Sequence, residues 1–205
     1  MHRIFLLSPA RLGGLRAKML FNERPQFDLA QRLRSKSVPL GEVFSFLSGL
    51  YFRGKLAYAR KFAQPPPGCS GIFVITANRG LLVADTPITL PELQNFAQVE
   101  IDSNDLRYRR PLRREARRIA RLLGQNCEVI LLGSIATGKY TDELLKIFGG
   151  QLRFPAEFVG RGDMSRGGLM LRCAADGNEL EYISLQGAVR HGKRPEKLAQ
   201  RRYNL

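Results

Sequence analysis

Two unbroken apolar runs constrain this chain more than any other feature: Ile72-Phe73-Val74-Ile75, opening the segment Ile72 to Ala77, and Val129-Ile130-Leu131-Leu132, within the segment Glu128 to Gly133. A strand with one face in water alternates apolar and polar residues, whereas a strand without alternation is covered on both faces, as in a parallel sheet between helices. The second run lies between a helical pattern over Arg110–Leu123 and another from about Thr141 to Phe148. Helix, strand, turn and helix in that order form a unit of a parallel sheet. The start, Met1 to Pro9, holds a four-residue apolar run, too short for a signal peptide's core or a membrane span, and reads as a first strand. Leu169–Cys173 and Leu180–Leu185 suggest a hairpin across Ala175-Asp176-Gly177-Asn178. The expected fold is therefore α/β: a single three-layer domain over residues 1–189 with a mostly parallel central sheet and an antiparallel edge hairpin near the C-terminus. A basic tail without apolar periodicity, residues 190–205, follows and is expected to be flexible. At 205 residues such a domain buries roughly 70% of its extended-chain surface and needs no metal or disulfide to hold it.

The remaining helices are expected near Leu12–Phe21, Phe27–Leu33, Gly41–Ala63 and Leu90–Ala97. The third should break near Ser48-Gly49 or Gly54 and stop at Pro65-Pro66-Pro67-Gly68; the fourth has Pro91 near its start, where a missing N–H costs nothing. Phe44, Phe46, Tyr51, Phe52 and Tyr58 sit at helical spacing, which reads as core, with base stacking as the alternative. Cys69, Cys127 and Cys173 are odd in number and far apart, pointing to reduced thiols and a cytoplasmic setting. His2 and His191 stand near opposite ends, which argues against a histidine triad or a histidine-rich zinc site. No residue pattern calls for a cofactor.

Charge is the outlying quantity. Arg107, Arg109, Arg110, Arg113, Arg114, Arg117, Arg118 and Arg121 face only Glu115 within their own segment, a local charge of +7. From Arg190 to Leu205, six Lys or Arg, among them Lys193 and Arg194, stand against Glu196, a further +5 of the total +15. On the Arg110–Leu123 pattern, Leu112, Ala116, Ile119 and Leu123 form one inward stripe, and arginines cover the rest. A concentrated cationic surface suits a nucleic acid or a phosphorylated small molecule. A membrane surface fits poorly, because the apolar stripe is needed by the sheet.

Three loops are candidates for chemistry. Gly133-Ser134-Ile135-Ala136-Thr137-Gly138-Lys139-Tyr140-Thr141 matches GxxxxGK, but Tyr140 stands where a P-loop places its magnesium-binding hydroxyl. What survives is a strand-to-helix turn suited to phosphate or carboxylate, with a plain turn and a solvated Lys139 as the alternative. Phe158-Val159-Gly160-Arg161-Gly162-Asp163-Met164-Ser165-Arg166-Gly167-Gly168 reads as a glycine-rich loop in which Arg161, Ser165 and Arg166 bind an anion and Asp163 serves as acid or base. Its plainer reading is a loop whose Asp caps a turn. Ser8 to Arg16 follows the first strand. Ligands in open α/β sheets collect beyond the carboxyl ends of strands, so Ser8 and Arg16, Asn78 and Arg79, and Ser134 and Lys139 are expected around one crevice.

The segments LSPARLGGLRAKML, PLGEVFSFLSGLYFRGKLAYARKFA, VITANRGLL, LLGSIATGKYTDELL and FVGRGDMSRGGLMLR together resemble a conserved bacterial family with no assigned activity. The AYA segment followed by VITANRGLL and Asp85 is also similar, more distantly, to small α/β domains with an AYA...LSAKYGLL pattern, some associated with nucleic-acid modification or stress. Thr76-Ala77-Asn78-Arg79-Gly80 replaces Ser-Ala-Lys-Tyr-Gly here, and neither resemblance carries over a catalytic residue. The reading is a nucleotide- or nucleic-acid-directed protein, either an enzyme acting on a nucleotide or nucleobase or a non-catalytic DNA- or RNA-binding module.

Overall fold

A computed structural model describes residues 1–24 and 27–199. The chain runs β1 (His2–Leu7), α1 (Leu15–Phe21), α2 (Asp28–Ser35), β2 (Val38–Pro39), α3 (Leu40–Ser48), α4 (Leu50–Phe62), β3 (Ile72–Ile75), β4 (Leu81–Val83), β5 (Pro87–Ile88), α5 (Leu90–Ala97), α6 (Leu106–Leu123), β6 (Cys127–Leu132), α7 (Gly138–Phe148), β7 (Leu152–Pro155), α8 (Asp163–Asp176) and β8 (Tyr182–Ser184). Six strands form one sheet in the order β4-β3-β1-β6-β7-β8, and β2 pairs with β5 in a separate two-stranded ribbon. The four inner strands are parallel, with Phe5 opposite both Ile72 and Ile130, and Val129 opposite Leu152. Both edges are antiparallel: β4 on β3, β8 on β7.

The connection from β1 to β3 runs one way along the sheet, and those from β3 to β6 and β6 to β7 run the other way. Right-handed crossovers therefore put α4 and α6 on opposite faces. α8 packs on α4, and α7 packs on α6, which gives three layers. All six residues of β6 are buried, which explains its lack of alternation. Reversal of direction makes the gap between the carboxyl ends of β1 and β6 a topological switch point, where such sheets collect ligands.

Several sequence expectations hold. The long aromatic helix breaks at Gly49, whose φ of +56° is costly for any other residue. α5 begins on Thr89, which forms a capping box with Glu92. Cys69, Cys127 and Cys173 are free thiols. Among the described residues, no helix is long and apolar enough to cross a membrane.

The hairpin is corrected. Leu169–Cys173 belongs to α8, and only Leu180–Leu185 contributes a strand, pairing with β7. The run Leu169-Met170-Leu171-Arg172-Cys173-Ala174-Ala175 has no β-branched residue and continues α8, which buries Arg166, Gly167 and Met170 at helical spacing and ends at Gly177 in the left-handed region. For the same reason Asp163–Gly168 is the opening of α8, not a loop. α6 starts at Leu106, with the Asp105 carboxylate capping the Arg107 N–H, so Pro111 lies inside the helix.

After β8 the described residues of the tail form no helix or strand. Arg190 pairs with Asp142 at 2.8 Å, and Gly192 lies against Val159. Lys193 and Arg194 are exposed, while Arg201 and Arg202 lie outside the described residues.

Candidate functional site

At the switch point a crevice of about 760 Å³ opens between the ends of β1 and β6, with Ser8, Tyr51, Ser134, Lys139, Tyr140 and Asp163 among its lining. Phe44 and Phe96 supply an apolar wall, and Arg11 and Glu100 add charge at its edge. Gly133 is what lets the two strand ends close: a Cβ there would meet Ser8 Cβ at 2.7 Å and Tyr140 Oη at 2.9 Å.

Directly beneath Ser8 lies Lys55, fully buried on α4. Its Nζ is 2.6 Å from Ser8 O and 2.9 Å from Ser8 Oγ, and it sits over the rings of Tyr51 at 4.5 Å and Phe52 at 4.6 Å. No carboxylate pairs with it among the described residues. Burial lowers its pKa to about 7, with Asp163 favouring the charged form and Arg166 opposing it. Around this pair, Tyr140 donates from its hydroxyl to Ser134 O at 2.7 Å. The buried Tyr51 hydroxyl has no hydrogen-bond partner among the described residues, and burial pushes its pKa up to about 12.

α8 brings Asp163 and Arg166 to the same place through a glycine contact. A Cβ on Gly54 would meet Gly167 O at 2.5 Å, and one on Gly167 would meet Tyr51 Cα at 2.8 Å. The helices touch backbone to backbone there, as only glycine permits. Arg166 is buried and donates Nη2 and Nε to Phe158 O at 2.8 and 3.2 Å; Asp163, exposed at the crevice, lies 3.5 Å from Arg166 Nη1.

Of the residues expected to converge, Ser8, Ser134 and Lys139 line the crevice, and Asp163, expected in a separate loop, lines it too. Arg16 points elsewhere and donates to Phe46 O at 2.9 Å. Asn78 and Arg79 line an adjoining depression of about 420 Å³ with Arg107, and that depression shares Phe96 and Val99 with the crevice. There Asn78 donates to Asn95 O at 3.0 Å, and Arg79 pairs with Glu92 at 2.5 Å. Arg161 and Ser165 are bonded to each other at 2.9 Å, and Arg161 also donates to Glu157 O. Lys55, Tyr51 and Tyr140 were missed as site residues. Their signal is faint: a lysine inside an aromatic helical run, and the tyrosine that spoils the P-loop match.

On α6 the arginines have more acidic partners than the helix itself offers. Arg113 pairs with the buried Glu143 of α7, Arg107 with Asp105, and Arg114 and Arg118 with Glu115. Arg109 donates to Ser103 O at 3.2 Å. Arg110, Arg117 and Arg121 are exposed and have no ion pair among the described residues. Arg113, Arg117, Arg121 and Lys146 border a groove between α6 and α7 of about 450 Å³.

No family model, curated protein or solved structure matches this chain.

Proposed function

We propose that this chain is a nucleotide- or nucleic-acid-directed enzyme whose substrate enters the switch-point crevice while the α6 face holds phosphates beyond it. The observation that carries the reading is continuity: the crevice and the depression at Arg79 and Arg107 share Phe96 and Val99, so the polar site adjoins the first arginine of the cationic helix. Ser134, Lys139 and the N-terminal end of α7 suit one phosphate at the switch point. Phe44 and Phe96 offer apolar surface for a base or sugar. Asp163, exposed at the mouth, is the acid or base in this reading. Arg161 and Arg166 position α8 through their backbone acceptors.

A second reading, a non-catalytic DNA- or RNA-binding module, is favoured by Arg110, Arg117 and Arg121, which are exposed, have no ion pair among the described residues and need no crevice to bind a polyanion.

The test is binding of labelled single-stranded RNA and duplex DNA over a salt series, with a Lys193→Gln, Arg194→Gln variant alongside. With about six phosphates contacted, log K falls by roughly 5 per decade of salt. Absence of binding at low salt contradicts both readings; binding indifferent to crevice substitutions favours the second.

A further inference from the structure

We propose that Ser8 and Lys55 form a nucleophile–base pair, in which Ser8 Oγ attacks a phosphoryl centre bound in the crevice and Lys55 Nζ takes its proton. The inference rests on the crevice being the substrate site, not on which phosphorylated ligand fills it.

A lysine with no exposed surface ordinarily meets a carboxylate, because an unpaired buried ammonium is costly. Among the described residues Lys55 has none, and the two hydrogen-bond acceptors it meets both belong to Ser8. The aromatic walls and the missing counter-ion hold part of the lysine population neutral near neutrality. A neutral amine 2.9 Å from a serine hydroxyl has the geometry of a general base, and a desolvated lysine is a recognised activator of that nucleophile. The charged and titratable groups facing Lys55 are Asp163 and Arg166 from α8 and Tyr51 from α4, while Tyr140 of α7 faces Ser8. Ser8 meets the crevice at the end of β1, so the pair spans the boundary between core and ligand space.

In the first step the Oγ–P bond forms, the bond from phosphorus to the leaving oxygen breaks, and the Ser8 proton passes through Lys55 to that oxygen. Water then attacks phosphorus, Lys55 accepts its proton, and Ser8 Oγ departs and recovers it. The N–H groups opening α7, which has no side-chain cap at Thr137, together with Lys139, face the charge on the phosphoryl oxygens.

The test is labelling of the full chain with a fluorophosphonate, which forms the same Oγ–P bond and releases fluoride, followed by intact mass and peptide mapping across pH 5.5–9. The expected result is a single adduct on Ser8, with a rate that rises to a plateau about a midpoint near 7. Ser8→Ala gives no adduct, and Lys55→Met, folded by circular dichroism, slows labelling at pH 8 by at least about 100-fold. An unlabelled wild-type protein, or Lys55→Met reacting at the wild-type rate, overturns the pair. Should Lys55→Met not fold, the wild-type profile decides: a rate still climbing about tenfold per pH unit to pH 9 reports hydroxide rather than a base of the protein and overturns it. Labelling without polynucleotide binding leaves the pair standing and removes the function proposed above; binding without labelling removes only the pair.

Discussion

Gly54 and Gly167 face each other where α4 crosses α8, with no room between them for a side chain: a Cβ on Gly54 would lie 2.9 Å from Gly167 Cα. Within one turn of that contact α4 carries Tyr51 and Lys55, while α8 carries Arg166 and Asp163. The approach of two backbones thus sets the distance between a buried amine and the charges that tune it.

Gly167→Ala is expected to destabilise the fold by about 1–3 kcal/mol, since the added methyl meets Leu50 O and Tyr51 Cα at 2.8 Å and neither is a movable side-chain end. Urea unfolding measures it. Gly168→Ala is the control, because its Cβ would make only an ordinary 3.5 Å contact with Leu198, and it should change stability by less than about 1 kcal/mol.

Lys55 makes stability depend on pH in a known direction. Its pKa falls from 10.5 in the unfolded chain to about 7 in the fold, so between those values the unfolded state binds the extra proton and stability rises with pH. Below pH 7 both states are protonated and the cost of the buried charge is fully present. Relative to wild type, Lys55→Met should therefore gain as pH is lowered from 10 toward 7, by up to about 1.4 kcal/mol per pH unit, and level off below. Parallel denaturation curves across that range are the measurement; a constant difference contradicts the buried, titrating amine.

Asp163 favours the protonated form of Lys55. Asp163→Asn should accordingly lower the pH midpoint of Ser8 labelling, and an unchanged or raised midpoint would show that the carboxylate does not act on the amine.

Arg110, Arg117 and Arg121 are exposed and, among the described residues, unpaired, so changing all three to Gln should leave the unfolding free energy within about 0.5 kcal/mol of wild type. If each contacts a phosphate, the slope of log K against log salt falls by about 1 for each. Arg113→Gln is a different experiment, because it strips the buried Glu143 of one partner and should cost stability as well.

The parallel core was legible because Ile72–Ile75 and Val129 to Leu132 are unbroken apolar runs, and the switch-point convergence of Ser8, Ser134 and Lys139 follows from strand order alone. β7 and β4 were not legible: four and three residues long, they are strands only because neighbouring strands offer hydrogen bonds. The glycines of Gly160–Gly168 read as a loop because nothing local distinguishes a flexible glycine from one serving a helix contact, and Gly167 belongs to the second kind. Lys55 escaped notice for the same reason, since its burial depends on α8, far along the chain.

The most direct test of the central claim is photo-crosslinking of a 4-thiouridine-containing RNA, with peptides mapped by mass spectrometry. Continuity between the crevice and the α6 face predicts crosslinks on the crevice wall, at Phe44, Tyr51 or Phe96, and on α6 from the same oligonucleotide. Crosslinks confined to α6 and the residues after Val189, with the crevice wall bare, would contradict it.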